Sequence, residues 1–283
     1  MGVPSLVSFI KSYYPLSVET VYSSSLLPQY DNLFIDLNTV IHYAIRSCNT
    51  ALSEERFEKI ASLIITEIDK IVMYINPQRL LFLSVDGTVP RCKATEQRKR
   101  RFTADPETDH SSVVYALDKN MISPGTAFME TLNSMLKYYI ATRLSSDPAW
   151  KKLKIIYSSH RSPGEGEQKV MDYLRESIRE GTFNKNHRNL IFGNDADFIL
   201  LTLLLEYTNI DIMYHETFFQ SDVEIHNHVS LIVFCYLANA SHPYFSSKRL
   251  LENRFHCRYT LDRQVRLSTD HRWICFLNDS LWK

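Results

Sequence analysis

The chain has 283 residues, of which 45% are hydrophobic, and is long enough to bury the core of one large domain or two small ones. Lysine plus arginine and aspartate plus glutamate both number 32, which excludes a protein whose overall positive charge drives nucleic-acid binding. No segment approaches the roughly 20 apolar residues of a membrane span, and the five cysteines lack metal-binding or redox spacing. We therefore expect an intracellular protein, in the cytoplasm rather than the nucleus, that does not bind membranes.

Four short apolar segments predict buried β-strands. They are residues 32–38 (NLFIDLN), 80–86 (LLFLSVD), 153–158 (LKIIYS) and 189–195 (NLIFGND). Helical patterns separate them along the chain. Continuous apolar strands that alternate with helices are typical of an α/β fold, so we predict a mostly parallel, twisted central sheet with helices on both faces.

Two helices are predicted between these strands. Apolar residues recur at three- and four-residue steps from Phe57 to Ile75, which indicates an amphipathic helix that ends before Pro77. Ser123 as N-cap and Pro124 at the first helical position predict the start of a second helix, which continues through FMETLNSMLKYYIATRL. The polar residues 103–119 predict a loop.

Each predicted strand carries carboxylates at its end or just beyond it. Because ligands bind outside the carboxyl ends of parallel strands, we expect these side chains to meet in one crevice. We call this set of residues the acidic cluster: Asp36, Asp86, Glu165, Glu167, Asp195 and Asp197.

A cluster made only of carboxylates predicts a site for divalent cations. Oxygen ligands suit Mg²⁺ or Mn²⁺, which neutralise the repulsion between the acids. Two such ions about 4 Å apart would stabilise the attacking and leaving oxygens of a phosphodiester displacement. For Glu165 and Glu167 in the segment SPGEGEQKV, a second interpretation stays open, because carboxylates also favour the positive end of a solvated helix N-terminus.

A basic segment, VPRCKATEQRKRRF, directly follows the second strand and its aspartate. A helix that opens at Pro90 would place four side chains on one face: Lys93, Gln97, Arg100 and Arg101. Ammonium, amide and guanidinium groups together suit a terminal phosphate. A solvated basic helix and a nuclear-localisation-like run are the alternatives.

Several motifs together resemble the Xrn-type 5′→3′ exoribonucleases of the FEN-like and PIN-like nuclease superfamily. These motifs are MGVPSL, YDNLFIDLNTVIH, LFLSVDGTVPRCKATEQRKRRF, SPGTAFM, SPGEGEQKVMDYLR and GNDADFILLTL, and they cover most of residues 1–205. The resemblance implies a PIN-like/FEN-like nuclease core over residues 1–245. Residues 246–283 would form a C-terminal extension packed on the same domain.

The resemblance also implies roles for the residues singled out above. The acidic cluster would ligate catalytic metals, and Lys93, Gln97, Arg100 and Arg101 would hold a 5′-monophosphate. His42 would stack on the first bases of the substrate. The implied activity is Mg²⁺- or Mn²⁺-dependent hydrolysis of 5′-monophosphorylated single-stranded RNA to nucleoside 5′-monophosphates, by a monomer with no membrane partner. A flap-type, structure-specific 5′ nuclease acting on DNA is an alternative.

One departure from the family pattern leaves another alternative. In LIVFCYLANASHPYF, Asn239 and Ala240 stand where the family has an asparagine and its seventh acidic ligand. Asp211, Asp222 or Asp270 would have to substitute, or the protein would bind RNA 5′ ends with impaired catalysis. Because the chain also ends before the family's second conserved region, we expect a pared-down member, of the kind that a virus or another reduced genome encodes.

Overall fold

A computed structural model describes residues 6–14, 17–21, 27–48, 53–102, 119–205, 209–216 and 228–233. These residues fall within Met1–Asn239, the first of two units into which the chain divides. The predicted extension at 246–283, Ala240, and residues 103–118 of the predicted loop lie outside them.

The elements alternate along the chain as an α/β fold requires. The strands are β1 (Val18–Val21), β2 (Asn32–Asp36), β3 (Leu80–Ser84), β4 (Lys154–Ser158), β5 (Asn189–Phe192), β6 (Ile210–Glu216) and β7 (His228–Val233). The helices are α1 (Leu6–Tyr13), α2 (Leu37–Ser47), α3 (Ser53–Ile75), α4 (Arg91–Phe102), α5 (Ala127–Ser146), α6 (Pro148–Lys151), α7 (Gly166–Arg179) and α8 (Asp197–Leu203), with a 3₁₀ turn at Lys119–Ile122.

The described strands form one sheet in the order β1-β7-β6-β5-β2-β3-β4. Strands β6, β5, β2, β3 and β4 run parallel to one another, whereas β7 is antiparallel to both β6 and β1. Phe34 of β2 is level with Phe82 of β3 and Ile191 of β5. The predicted mostly parallel sheet is therefore confirmed, and the strands that carry the acidic cluster end at the same edge.

Alternate residues of the central strands supply two separate cores. Leu33 and Ile35 pack with residues of α2, α3 and α5 on one face of the sheet. Phe34 packs with residues of α1, α7 and α8 on the other. Since side chains of a strand alternate between faces, continuous apolar strands are what a sheet covered on both faces requires. The predicted helices on both faces are confirmed.

The predicted start of the helix after Ser123 is wrong. Helix α5 begins at Ala127, and its N-cap is Thr126, whose hydroxyl accepts a hydrogen bond from the Met129 amide. Gly125 has a φ of +88°, a left-handed conformation that a continuing helix does not allow. By contrast, α3 ends at Ile75 as predicted. Among the helices that the structure describes, none has the length and apolar composition needed to cross a membrane.

Candidate metal and phosphate site

Two aspartates of the acidic cluster are fixed by backbone amides at the carboxyl ends of β2 and β3. Asp36 is the N-cap of α2, and its Oδ1 accepts a hydrogen bond of 3.1 Å from the Asn38 amide. Asp86 follows β3, and its Oδ1 accepts a hydrogen bond of 2.7 Å from the Gly166 amide at the start of α7. The first turns of α2 and α7 thus orient carboxylates from different strands.

Gly166 allows α7 to approach the carboxylate of Asp36. A β-carbon at Gly166 would lie 2.7 Å from Asp36 Oδ1 and 3.3 Å from Ser84 Oγ, closer than an ordinary van der Waals contact. Any larger residue would force the carboxylate or the helix to move. The glycine between Glu165 and Glu167 is therefore needed where α7 packs on the ends of β2 and β3.

Three members of the acidic cluster come together at the starts of α7 and α8. Glu167 lies in the first turn of α7, Asp195 follows β5, and Asp197 begins α8. A carboxylate oxygen from each lies within 4.8 Å of the others. Asp195 also accepts a hydrogen bond of 2.9 Å from the Asp197 amide, which holds the two aspartates together.

The acidic cluster behaves as one electrostatic group. Burial and then the charge of Asp86 raise the pKa of Asp36 to about 7. Burial and then the charge of Asp195 raise the pKa of Glu167 to about 9. The pKa of Asp86 is also raised, first by burial and further by Glu165 and Asp195. Since neighbouring negative charges disfavour the ionised forms of Asp36, Asp86 and Glu167, a cation that neutralises these acids would be bound favourably.

The donor set fits a hard divalent cation. Oxygen atoms within 4.8 Å of one another can share an ion whose bonds to oxygen are about 2.0–2.6 Å. Glu167, Asp195 and Asp197 are the residues that would hold such an ion. Asp36, Asp86 and Glu165 adjoin them, because the charge of Asp195 raises the pKa values of Asp36 and Asp86, and the charge of Glu165 raises the pKa of Glu167.

The basic segment forms a helix, as predicted, and contacts the acidic cluster directly. Lys93 Nζ of α4 lies 3.4 Å from Glu165 Oε2. Gln97 Nε2, one turn later, donates a hydrogen bond of 3.0 Å to Glu165 Oε1. Lys93 and Gln97 therefore share a face of α4. Arg100 and Arg101 also lie on α4, but their side chains lie outside what the structure describes.

The carboxylate of Glu165 stands at the start of α7 and also contacts α4. Glu165 occupies the N-cap position of α7, but within the described residues its side chain makes no capping hydrogen bond. The carboxylate instead contacts Lys93 and Gln97 of α4. Interaction with the positive end of α7 does not require a capping hydrogen bond, so these contacts are compatible with either interpretation. The side chain of Glu165 joins the basic helix to the acidic cluster.

Two further predicted residues lie at opposite ends of the sheet. His42 lies on α2, in the turn after the Asp36 cap, and is exposed. Asp211 of β6 does not join the acidic cluster. It accepts a hydrogen bond of 2.9 Å from Tyr30 Oη and lies 3.5 Å from Arg188 Nη2, at the amino-terminal end of the sheet. Its proposed substitution for the seventh ligand is therefore wrong; Asp222 and Asp270 lie outside the described residues.

The sequence interpretation missed two residues that bond to the acidic cluster or to the backbone next to it. Thr39 Oγ1 donates to Asp36 Oδ2 and accepts a hydrogen bond from the Asn194 amide, which connects the ends of β2 and β5. Lys169 is 8% exposed, and burial lowers its pKa to about 8. The sequence signal that could have identified Lys169 is its position four residues after Glu165, which places both residues on the same face of the helix.

Comparison with known proteins identifies the family of the chain. A family model described as "XRN 5'-3' exonuclease N-terminus" matches residues 1–216. The chain belongs to this family. The XRN resemblance predicted from the motifs is therefore confirmed.

Curated relatives within the XRN family are much longer than the matched region. The chain is 31% identical over 263 residues to 5'-3' exoribonuclease 2 of Arabidopsis thaliana, covering 78% of this chain and 26% of that protein. It is 33% identical over 215 residues to 5'-3' exoribonuclease 1 of Saccharomyces cerevisiae, covering 72% and 14%. For 5'-3' exoribonuclease 1 of Homo sapiens the identity is 32%, and the coverage is 77% and 14%.

Among solved structures, the catalytic core of Rad2 in complex with a DNA substrate has a TM-score of 0.41 to this chain at 16% identity. The alignment covers 89% of this chain and 60% of Rad2. A second complex of the same catalytic core has a TM-score of 0.40.

Proposed function

We propose that the protein is a 5′→3′ exoribonuclease that acts on 5′-monophosphorylated single-stranded RNA with Mg²⁺ or Mn²⁺. The observation that carries this proposal is the contact of Lys93 and Gln97 with Glu165. Groups suited to a terminal phosphate are thereby placed beside carboxylates suited to divalent cations. A terminal phosphate bound by α4 would put the next phosphodiester close to the acidic cluster. Removal of single nucleotides from the 5′ end follows from that spacing.

Each part of the site has a separate task in this proposal. Lys93, Gln97, Arg100 and Arg101 bind the terminal phosphate, and His42 stacks on the first bases. The acidic cluster holds the cations, of which we propose two. Bound Mg²⁺ or Mn²⁺ supplies electrostatic stabilisation of the attacking and leaving oxygens. The carboxylates contribute by fixing where that charge sits relative to the phosphate held by α4.

The shape of the substrate follows from the same residues. A site that closes around one phosphate group rejects a triphosphate or a cap, so decay intermediates are selected over intact transcripts. We propose single-stranded RNA as the partner, nucleoside 5′-monophosphates as products, and a monomer that acts inside the cell, in the cytoplasm. The XRN family membership supports this proposal, as do the relatives named 5'-3' exoribonuclease.

The test compares matched RNAs that differ only at the 5′ end. Purified protein is incubated with Mg²⁺ and RNA bearing a 5′-monophosphate, 5′-hydroxyl or 5′-triphosphate, and the products are resolved over time. We expect stepwise release of mononucleotides from the 5′-monophosphate RNA alone. Lys93→Met should reduce this preference by about 10-fold or more, since a hydrogen bond to a charged group is worth about 1.5–3 kcal/mol. Lys151→Met, at an exposed position on α6, is the matched control.

Other outcomes identify which alternative replaces the proposal. Equal cleavage of the three RNAs, or internal cleavage, would contradict the assignment of a terminal-phosphate site to α4. A preference for branched DNA would identify a flap-type nuclease. Binding of 5′-monophosphate RNA without cleavage, with cleavage restored by Ala240→Asp, would identify an RNA 5′-end-binding protein with impaired catalysis.

A further inference from the structure

Lys169 is a buried cation that bonds to the backbone rather than to a carboxylate. It lies in the first turns of α7 and is 8% exposed. Its Nζ donates a hydrogen bond of 2.6 Å to the Val85 carbonyl and one of 2.8 Å to the Ser159 carbonyl. An ammonium has three N–H donors and no acceptor, so these bonds satisfy most of its capacity. A buried lysine used in this way fixes backbone positions at some cost in desolvation.

The two carbonyls belong to the segments that present the acidic cluster. Val85 directly precedes Asp86, and Ser159 starts the connection between β4 and α7 that leads to Glu165. The same segments are joined by backbone hydrogen bonds from Val85 to Ser158, at 2.9 Å, and from Gly87 to Gly164, at 2.8 Å. Lys169 connects these two segments to a third element, because it lies on α7, the helix that carries Glu167.

We propose that Lys169 is a positioning residue for the divalent cation: its ammonium ties the ends of β3 and β4 to α7, and so sets the spacing of Asp86, Glu165 and Glu167. This inference rests on the proposed cation-dependent function. It assigns to Lys169 a role that does not require contact with the substrate or the cation. Outer groups that orient metal ligands typically change metal affinity by about 10- to 100-fold when they are removed.

The sign of the effect separates positioning from simple electrostatics. A positive charge near carboxylates competes with a cation, so electrostatics alone predicts that removal of the Lys169 ammonium strengthens cation binding. Positioning predicts the opposite, because the carboxylates lose the geometry that the cation requires. A role in stability alone predicts unchanged affinity as long as the variant is folded.

The experiment measures Mn²⁺ affinity directly, without relying on nuclease activity. Mn²⁺ is titrated into the full chain, and free Mn²⁺ is followed by electron paramagnetic resonance, well below the melting temperature of each variant. We expect Lys169→Met to weaken Mn²⁺ binding by about 10-fold or more. Lys169→Gln keeps two N–H donors without the charge, so it should recover part of the affinity. Unchanged or tighter binding by Lys169→Met would overturn the inference.

Two controls separate this effect from loss of charge and from loss of stability. Lys93→Met removes a cation that contacts Glu165 and should increase Mn²⁺ affinity, as loss of a positive charge alone predicts. Asp69→Asn weakens the bonds from Tyr139 and Arg143 that join α3 to α5, so it should lower the melting temperature with wild-type Mn²⁺ affinity. If Asp69→Asn lowers Mn²⁺ affinity as much as Lys169→Met does, the effect is one of stability and the inference is overturned. If the wild type binds no Mn²⁺, the proposed function itself fails.

Discussion

At the amino-terminal end of the central strands, the buried carboxylate of Asp211 is bonded by Tyr30 and approached by Arg188. At the carboxyl-terminal end, Glu167 faces Asp195 and Asp197. Burial raises the pKa of Asp211, whereas the hydrogen bond from Tyr30 and the charge of Arg188 lower it. For Glu167, the largest effects of neighbouring charges come from Asp195, Asp197 and Glu165, each of which raises its pKa further.

This difference separates a structural acid from acids available to a ligand. Asp211 uses one oxygen in bonds within the protein, as buried charges in folded proteins generally must. Glu167, Asp195 and Asp197 instead place oxygens together, and among the described residues none of the three forms an ion pair or accepts from a buried tyrosine, although the charge of Lys93 acts on Asp197. Burial alone therefore does not identify a functional carboxylate. The groups that contact a buried carboxylate distinguish a structural acid from a functional one.

The largest expected effect comes from the carboxyl-terminal end. Glu167→Gln should lower the rate on 5′-monophosphate RNA by about 100-fold or more, because loss of a ligand should exceed the loss typical of outer-shell partners. The metal-free variant should melt at or above the wild-type temperature, since one buried acid has been removed from the repulsion. Single-turnover kinetics and thermal unfolding in a chelator measure both. Wild-type activity would exclude Glu167 from the site.

A smaller loss is expected from Gly166→Ala. Helix propensity alone favours alanine over glycine by about 1 kcal/mol in a helix interior. The β-carbon would nevertheless lie 2.7 Å from Asp36 Oδ1. We expect Mn²⁺ affinity to fall by about 10-fold, the lower end of the range for residues that orient ligands. Gly181→Ala, at a left-handed glycine after α7 with open space around it, is the control for a general effect of substituting glycine.

The dependence of stability on pH should distinguish the two ends further. Glu167 has a pKa raised from 4.5 to about 9, so the folded state binds more protons than the unfolded state between those values. The contribution of Glu167 to the free energy of unfolding, measured in a chelator, should therefore be greatest below about pH 4.5. It should fall as the pH rises towards 9. Saturating Mn²⁺ should reduce the fall. Thermal unfolding across this range tests it, and Glu167→Gln should show a shallower slope; an equal slope would contradict the assignment.

The smallest effect on activity is expected at the amino-terminal end. Tyr30→Phe removes one hydrogen bond to the buried Asp211 and should destabilise the fold by about 1–3 kcal/mol. Activity on 5′-monophosphate RNA, measured well below the melting temperature, should match the wild type. A loss of activity without loss of stability would show that the two ends of the sheet are coupled.

The sequence predicted the strands and the acidic cluster because both depend on local patterns. Apolar runs mark strands that are buried on both faces, and carboxylates at their ends meet wherever parallel strands end together. The helix that carries Lys93 and Gln97 was likewise predicted from residue spacing. Roles that came only from the family resemblance, such as base stacking by His42, stay predictions.

Features that depend on distant contacts could not be predicted in the same way. The start of α5 at Ala127 depends on the left-handed conformation of Gly125. In the sequence, Ser123 followed by Pro124 is as good a signal for a helix start as Thr126. Lys169 bonds to a carbonyl 84 residues away in the sequence, and Thr39 accepts from an amide 155 residues away. Such pairings are known only once the strands are in register.

The contact of Glu165 with both Lys93 and Gln97 has a consequence for redesign of the protein. The carboxylate of Glu165 is part of the acidic cluster and also contacts the proposed phosphate-binding face of α4. Substitutions on α4 and substitutions in the acidic cluster will therefore not have additive effects. A variant selected to accept a different RNA terminus would need compensating changes on the other side of Glu165. Terminus preference and cation affinity are therefore expected to evolve as a single trait.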